Sequence, residues 1–245
     1  MNIALSTKYF SSQFKQATHN KKIGIAHSKA KKVIVLNAKG GVGKSTVTAG
    51  LVSKLIQDGY QTELVDFDRQ KSTYNWANLV GSLPCQAFNP AMRSFTDISM
   101  SLKVDPQSEF IVIDSPSNMS EAELARYIRF VDHIIIPIQP SPVDLKASLP
   151  FIEMLISRHL YRDVMQKVKL GFVINRTQNA NDEKLRKVMH LLSMFSQHST
   201  LGMMSESDHY QEAFLNDSFV EKGEVDDTLW KNILLWLNGN KSLTN

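Results

Sequence analysis

The sequence holds one cysteine, Cys85, in 245 residues. One thiol can neither close an internal disulfide nor supply a Cys-rich metal or iron–sulfur site, so a reducing compartment is the natural setting. Long apolar runs are lacking too. The longest strongly apolar stretch, Ile134 to Ile138, is far too short to cross a bilayer. No apolar core follows the first lysine, as a secretory signal would require, which points to a cytoplasmic protein. Acidic residues are missing from Met1 to Lys32, which carries seven lysines: Lys8, Lys15, Lys21, Lys22, Lys29, Lys31 and Lys32. The whole chain has 28 basic and 24 acidic residues, so 21 and 24 remain beyond Lys32, and the net charge of +4 belongs to this leader.

What is present is ordinary globular material, 42% apolar and 21% charged, enough to bury a substantial core as one domain. Residues 1 to about 30 show no sustained periodicity and read as a basic extension, flexible or loosely helical. Its charge suits nucleic acid or an anionic surface, a solubilising arm, or a transit peptide. From residue 31 to 245 the pattern is a single P-loop ATPase domain. Candidate strands are Val33 to Asn37, Thr62 to Asp66, Phe110 to Asp114, His133 to Ile138 and Leu170 to Asn175, each apolar on both faces. Helical segments run near Lys44 to Asp58, Ser120 to Phe130, Asp144 to Leu160 and Asp182 to Gln197. Ser120 with Glu123 forms a capping box, and Gly59 ends the first helix. Repeated β-α order predicts an α/β fold, a doubly wound, mostly parallel sheet with helices on both faces.

The strongest motif is Lys39-Gly40-Gly41-Val42-Gly43-Lys44-Ser45-Thr46, directly after an apolar strand and before a helix. Its glycines let the backbone fold closely around phosphate oxygens. Lys44 then reaches the β- and γ-phosphates of ATP, and the Ser45 hydroxyl is placed to ligate Mg2+. A glycine pair alone would be an ordinary turn; the Lys44-Ser45 pair and the strand-loop-helix context set it apart. Lys39 is the additional feature. A cation there can neutralise phosphate charge on its own or a neighbouring subunit's nucleotide. Asp66 and Asp68, at a strand's C-terminal end, point to the same side and face the ligand crevice, where a carboxylate orients water or binds magnesium through water. The alternative is a pair of solvated loop carboxylates. Asp114 closes a buried strand in Phe110-Ile111-Val112-Ile113-Asp114-Ser115-Pro116-Ser117, the form of a Walker B segment, although such an acid can also cap a helix.

K-G-G-V-G-K-S-T resembles the deviant Walker A motif of the ParA/MinD superfamily. The resemblance covers roughly Lys31 to Lys222 and lies closest to ParA-type, ParF-like partition ATPases. It implies that Lys39 reaches across a nucleotide sandwich dimer to the partner's phosphates. Asp66-Phe67-Asp68-Arg69-Gln70 resembles the family's D-x-D-P-Q switch, which makes Asp68 the hydrolysis candidate and a metal ligand alongside Ser45 and Asp114. Arg69 departs from the usual proline. Pro137 to Leu145 is similar to the P-x-x-P-S-x-x-D-L element of partition ATPases. The resemblance also places Asn175, followed by Arg176, at the adenine, and an amide's donor and acceptor suit that edge.

The function so implied is a ParA-like ATPase, slow and partner-stimulated, that dimerises on ATP, binds DNA nonspecifically and positions a plasmid, chromosome or other cargo. Its expected partners are a second copy, nucleoid DNA in a bacterial cytosol, and a ParB-like adaptor. Arg176, Lys184, Arg186 and Lys187 form a basic cluster suited to phosphates, or a plain solvated helix face. A MinD-like membrane-cycling regulator is the alternative, resting on the tryptophan-containing segment Thr228 to Leu237. Lys231 is that segment's only basic residue, which favours a docked helix over a membrane contact. A metabolic P-loop enzyme is the third class and leaves Lys39 without a role. Cofactor-reducing relatives need cluster-binding cysteines, which Cys85 alone cannot provide.

Overall fold

The computed structural model describes residues 21–89, 94–157, 167–179, 182–195, 198–220 and 226–239. In chain order the strands are β1 (Ile23–Gly24), β2 (Lys31–Val35), β3 (Thr62–Asp66), β4 (Cys85–Ala87), β5 (Lys103–Val104), β6 (Phe110–Asp114), β7 (His133–Ile138), β8 (Lys169–Thr177) and β9 (Ser199–Ser205). The helices are α1 (Lys44–Gln57), α2 (Ser72–Val80), α3 (Phe95–Ser101), α4 (Glu121–Ile128), α5 (Pro142–Ser157), α6 (Glu183–Ser193), α7 (Asp208–Leu215) and α8 (Asp227–Leu237).

Seven strands form one parallel sheet in the order β4-β3-β6-β2-β7-β8-β9. Alternation along the strands sends side chains to two separate cores. Ile34, Ile111, Ile113, Ile134, Ile136 and Phe172 pack beneath α3 to α6. Val33, Val35, Leu64, Val112, Ile135 and Val173 pack beneath α1, α2, α7 and α8. Apolar residues on both faces are what a parallel sheet covered on each side requires, and the doubly wound class follows. The expected signals at the element ends are in place. Ser120 Oγ accepts from the Glu123 N–H while the Glu123 carboxylate accepts from the Ser120 N–H, and Gly59 follows α1 with φ 89°.

One expectation changes and another holds. The extension was expected to reach residue 30, yet β1 pairs with β5 and Ile25 is fully buried. Residues 21–30 therefore belong to the folded body, because Ile25 finds the core under α3 that a polar leader would not; residues 1–20 lie outside the described set. The C-terminal segment is docked on the domain, as its single basic residue favoured: Trp230 and Trp236 of α8 are each 6% exposed. No described helix is long and apolar enough to cross a membrane.

Candidate nucleotide site

The central strand β2 ends at Val35, and the chain loops through Gly43 into α1. Gly41 and Gly43 have φ of 74° and 88°, left-handed values that glycine adopts without a Cβ penalty. Gly43 has a second reason to lack a side chain: a Cβ there would collide with the Asn175 amide nitrogen. The first N–H groups of α1 have no partner within the helix and its dipole is positive at this end. The loop therefore fits an anion. Val42 is buried in the wall, and Thr46 sits half-buried in the first turn of α1.

Lys44 is 6% exposed. Its Nζ donates to Ser117 Oγ at 2.9 Å and to the Lys39 carbonyl at 3.3 Å. Burial lowers its pKa, opposed by the charges of Asp114 and Asp68. A buried ammonium bonded only to neutral acceptors is poised to receive phosphate oxygens.

Parallel register sets Asp66 of β3 opposite Asp114 of β6, so two strand-terminal carboxylates lie side by side. Asp114 Oδ2 accepts from Ser45 Oγ at 2.7 Å, and Thr73 Oγ1 lies 2.8 Å from Asp66 Oδ2 and 3.2 Å from Asp114 Oδ2. Burial, and then the Asp66 charge, push Asp114 up to about 7. A hydroxyl beside a buried, electrostatically burdened carboxylate suits a hard cation that keeps water and phosphate as its other ligands, as magnesium does. Among the described residues no trio of acidic, His or Cys side chains could hold a metal unaided.

Asp68 is not drawn into this cluster. It sits half-exposed in the loop after β3, accepting from the Gln70 N–H at 2.9 Å, and Asp66 takes the inner position instead, accepting from the Asp68 N–H at 2.8 Å. Asp68, Arg69 and Gln70 line a cavity of about 450 Å3 together with Ser117 and Asn118, so the loop after β3 and the loop after the Walker B strand share it. Asn175 is 2% exposed. Its Nδ2 donates to the Val42 carbonyl at 2.8 Å and its Oδ1 accepts from the Arg176 N–H at 2.9 Å. In this arrangement the amide braces the P-loop rather than presenting a free edge to a purine, while Arg176 is exposed with φ 59°.

Lys39 stands half-exposed at the mouth of the loop, its backbone N–H held by Asn37 Oδ1 at 2.9 Å and its Nζ paired with Asp144 Oδ1. Sequence reasoning assigned no role to Asn37, Thr73 or Asp144. The signal for Asp144 lay in the P-x-x-P-S-x-x-D-L run; Asn37 and Thr73 gave none, since a buried amide or hydroxyl is ordinary at a strand end or in a helix's first turn. A groove of about 510 Å3 lies between α5 and α6, lined by Lys146, Arg186, Lys187 and His190 together with Glu183, Pro142 and Leu191. It contains two of the predicted cationic residues. Lys184 and Arg176 are exposed but do not line it.

A doubly wound parallel sheet with a glycine loop, Lys44-Ser45 and a buried strand-terminal aspartate defines a P-loop nucleotide-binding protein. Residues 33–219 match the CobQ/CobB/MinD/ParA nucleotide binding domain, and the chain belongs to that family. It is 36% identical over 156 residues to a maintenance of carboxysome distribution protein A of Halothiobacillus neapolitanus, spanning 63% of this chain and 70% of that protein. A protein of the same description from Gloeobacter kilaueensis is 32% identical over 134 residues, 55% of this chain and 61% of the relative. The fold matches a Cyanothece McdA(D38A)–ATP complex with TM-score 0.62 at 16% identity, covering 89% of this chain and all of that one. It also matches pNOB8 ParA bound to nonspecific DNA with TM-score 0.64 at 16% identity, over 86% of this chain and all of that one.

Proposed function

We propose that this chain is a ParA-like positioning ATPase: ATP closes a homodimer, the dimer holds DNA nonspecifically, and a partner protein triggers hydrolysis and release. The observation that carries the reading is Lys39, a second cation at the mouth of a P-loop that already has its own lysine. Within one subunit Lys44 meets the phosphates, and Lys39 gains a role when a second copy faces it. The 36% identical relative, described by carboxysome distribution, favours a protein assembly as cargo over a plasmid or chromosome. Burial of both α8 tryptophans removes the support for a MinD-like membrane cycle.

In this reading Lys44 and the loop N–H groups grip the triphosphate, and Ser45 and Asp114 hold magnesium. When bound, magnesium neutralises charge on the phosphate oxygens. Asp68 orients the attacking water once the loop carrying it closes, and Thr73, placed between Asp66 and Asp114, ties that loop to the Walker B strand. Cosedimentation with DNA and with anionic liposomes, each with ATP, ADP or no nucleotide, tests the reading. ATP should enhance binding to DNA alone, and an interaction indifferent to ATP would remove the proposal's support. Asp68→Ala should accumulate the ATP-bound, DNA-bound form.

A further inference from the structure

Arg69 stands in the switch segment where proline is usual, and the backbone accounts for the exchange. The Lys71 N–H donates to the Asp68 carbonyl at 3.2 Å, so Asp68-Arg69-Gln70-Lys71 is a β-turn with Arg69 in its second position, the one that favours proline. Asp68 Oδ1 accepts from the Gln70 N–H at 2.9 Å, and this side-chain bond holds the turn without a ring. What the exchange adds is reach: a planar, permanently charged guanidinium on a long stem. That group is exposed and makes no hydrogen bond or ion pair among the described residues. It lines the cavity of about 450 Å3 between the two loops. Glu123 lines that cavity too, but its carboxylate is engaged by the Ser120 N–H and hydroxyl at the start of α4. Ser117, also on the cavity, accepts from Lys44 Nζ at 2.9 Å, so the cavity borders on the lysine placed for the β- and γ-phosphates. Asp68, beside Arg69, acts on that same ammonium through its charge. One turn thus carries a carboxylate and an unpaired cation to the phosphate end of the site.

We infer that Arg69 is a catalytic residue of ATP hydrolysis, its guanidinium bonding the γ-phosphoryl oxygens as the transition state forms. This deepens the proposed function and rests on its assignment of ATP to the P-loop. Water adds to the γ-phosphorus, the bond to the β–γ bridging oxygen breaks with its electron pair staying on ADP, and the water's protons pass to the released phosphate and to solvent. Negative charge spreads over the γ-phosphoryl and bridging oxygens on that path, and the Asp68 carboxylate adds to it. A forked cation one residue along offsets both. An arginine that bonds only as this charge develops raises turnover and adds little to the affinity for ATP itself.

The test compares the full wild-type chain with Arg69→Ala, Arg69→Pro and Arg69→Lys in three measurements. These are ATP turnover with magnesium, affinity for a non-hydrolysable ATP analogue by isothermal titration, and trapping of ADP with aluminium fluoride, which stands in for the γ-phosphoryl group in transfer. Turnover should fall about tenfold or more in Arg69→Ala and Arg69→Pro, and trapping should fall with it, while analogue affinity changes little. Arg69→Pro restores the usual turn residue, so its loss of turnover separates the missing guanidinium from a loosened turn. Arg69→Lys keeps the charge without the fork and should recover only part of the rate. Wild-type turnover in Arg69→Ala or Arg69→Pro overturns the assignment. Equal losses of turnover and analogue affinity overturn it too, because Arg69 would then act on bound ATP and not on its transition state. A wild type that binds the analogue but neither turns over ATP nor traps ADP with aluminium fluoride removes the catalytic role and leaves nucleotide binding intact. A wild type that binds no analogue brings down the parent reading together with this one. If Arg69→Ala melts early, Arg69→Gln with a matched melting temperature takes its place, with the same expected losses and the same overturning results.

Discussion

At the scale of single residues, the site places polar groups where burial makes each one matter. Asn175 lies under the P-loop with both ends of its amide engaged by Val42 and Arg176. Asn175→Ala should therefore weaken ATP and GTP binding by similar factors, since loss of the brace loosens the loop that grips the phosphates of either nucleotide. Isothermal titration with both nucleotides checks this, and a loss confined to ATP would restore adenine recognition to this amide. His133 makes a different point. It is 5% exposed, neither ring nitrogen has a partner, and its ring meets Trp236 edge-on at 4.8 Å. Burial first, and then the Lys169 charge, depress its pKa to about 4, with Lys31 adding to the shift and Asp132 opposing it. A histidine neutral in the fold but protonated in the unfolded chain stabilises fully above about pH 6.5, and that contribution is lost as pH falls toward 4. Between those limits the loss amounts to at most about 3 kcal/mol. Urea midpoints of wild type and His133→Leu should converge or cross on acidification from pH 7 to 4.5, and parallel pH curves would refute the account.

At the scale of elements, what was legible in the sequence follows burial. β3, β6 and β7 were readable to the residue because each is buried along its length, so β-branched and apolar residues dominate them; buried Glu63 in β3 is an exception, its carboxylate accepting from the Asp105 N–H and the Ser108 hydroxyl. The site's P-loop and Walker B strand were legible for the same reason, being motifs set on such strands. The start of β2 was not, since it opens with Lys31 and Lys32; the Lys32 ammonium folds back onto the Ser28 and Ala30 carbonyls, so a charged residue occupies a strand position without a buried unpaired charge. β4 is three half-buried residues with no pattern to read, and β9 is interrupted by Gly202 at φ 146° and a register shift. α2 begins after Lys71 in a left-handed conformation without a side-chain cap, so no capping signal announced it. The helix layer also yields a prediction. Gly50 lies mid-way along α1, where a Cβ would come within 2.5 Å of Trp230 on α8. Alanine improves helix propensity by about 1 kcal/mol, while overpacking a rigid indole costs about 1–3 kcal/mol. Gly50→Ala should therefore be destabilising by up to about 2 kcal/mol, with a shift in tryptophan emission as α8 is displaced. Chemical denaturation followed by fluorescence measures both.

At the scale of the whole molecule, the proposed DNA binding raises the question of which positive charge would meet the phosphates. The leader's lysines looked like an arm, but Lys32 is 8% exposed and Lys31 Nζ is bonded to Asn238 Oδ1 at 2.5 Å, so two of the seven serve the fold. Residues 1–20 carry only Lys8 and Lys15. The α5–α6 groove instead gathers Lys146, Arg186, Lys187 and His190 on one wall system, with Glu183 as the opposing charge, paired to Lys187 at 2.7 Å. An exposed ion pair of this kind is worth under about 1 kcal/mol and is screened by salt, so Lys187 can trade its carboxylate for a phosphate at small cost. Each phosphate contact contributes about 0.9 to the slope of log affinity against log salt on duplex DNA. Arg186→Ala with Lys187→Ala should therefore lower the magnitude of that slope by about 2 for each engaged protomer. The double variant should also weaken binding alike across unrelated sequences, whereas deleting residues 1–20 should have the smaller effect. Fluorescence anisotropy with ATP from low to moderate salt compares the three proteins. If the leader deletion flattened the slope and the groove double variant left it unchanged, the DNA-facing charge would have to be reassigned from the α5–α6 groove to the arm.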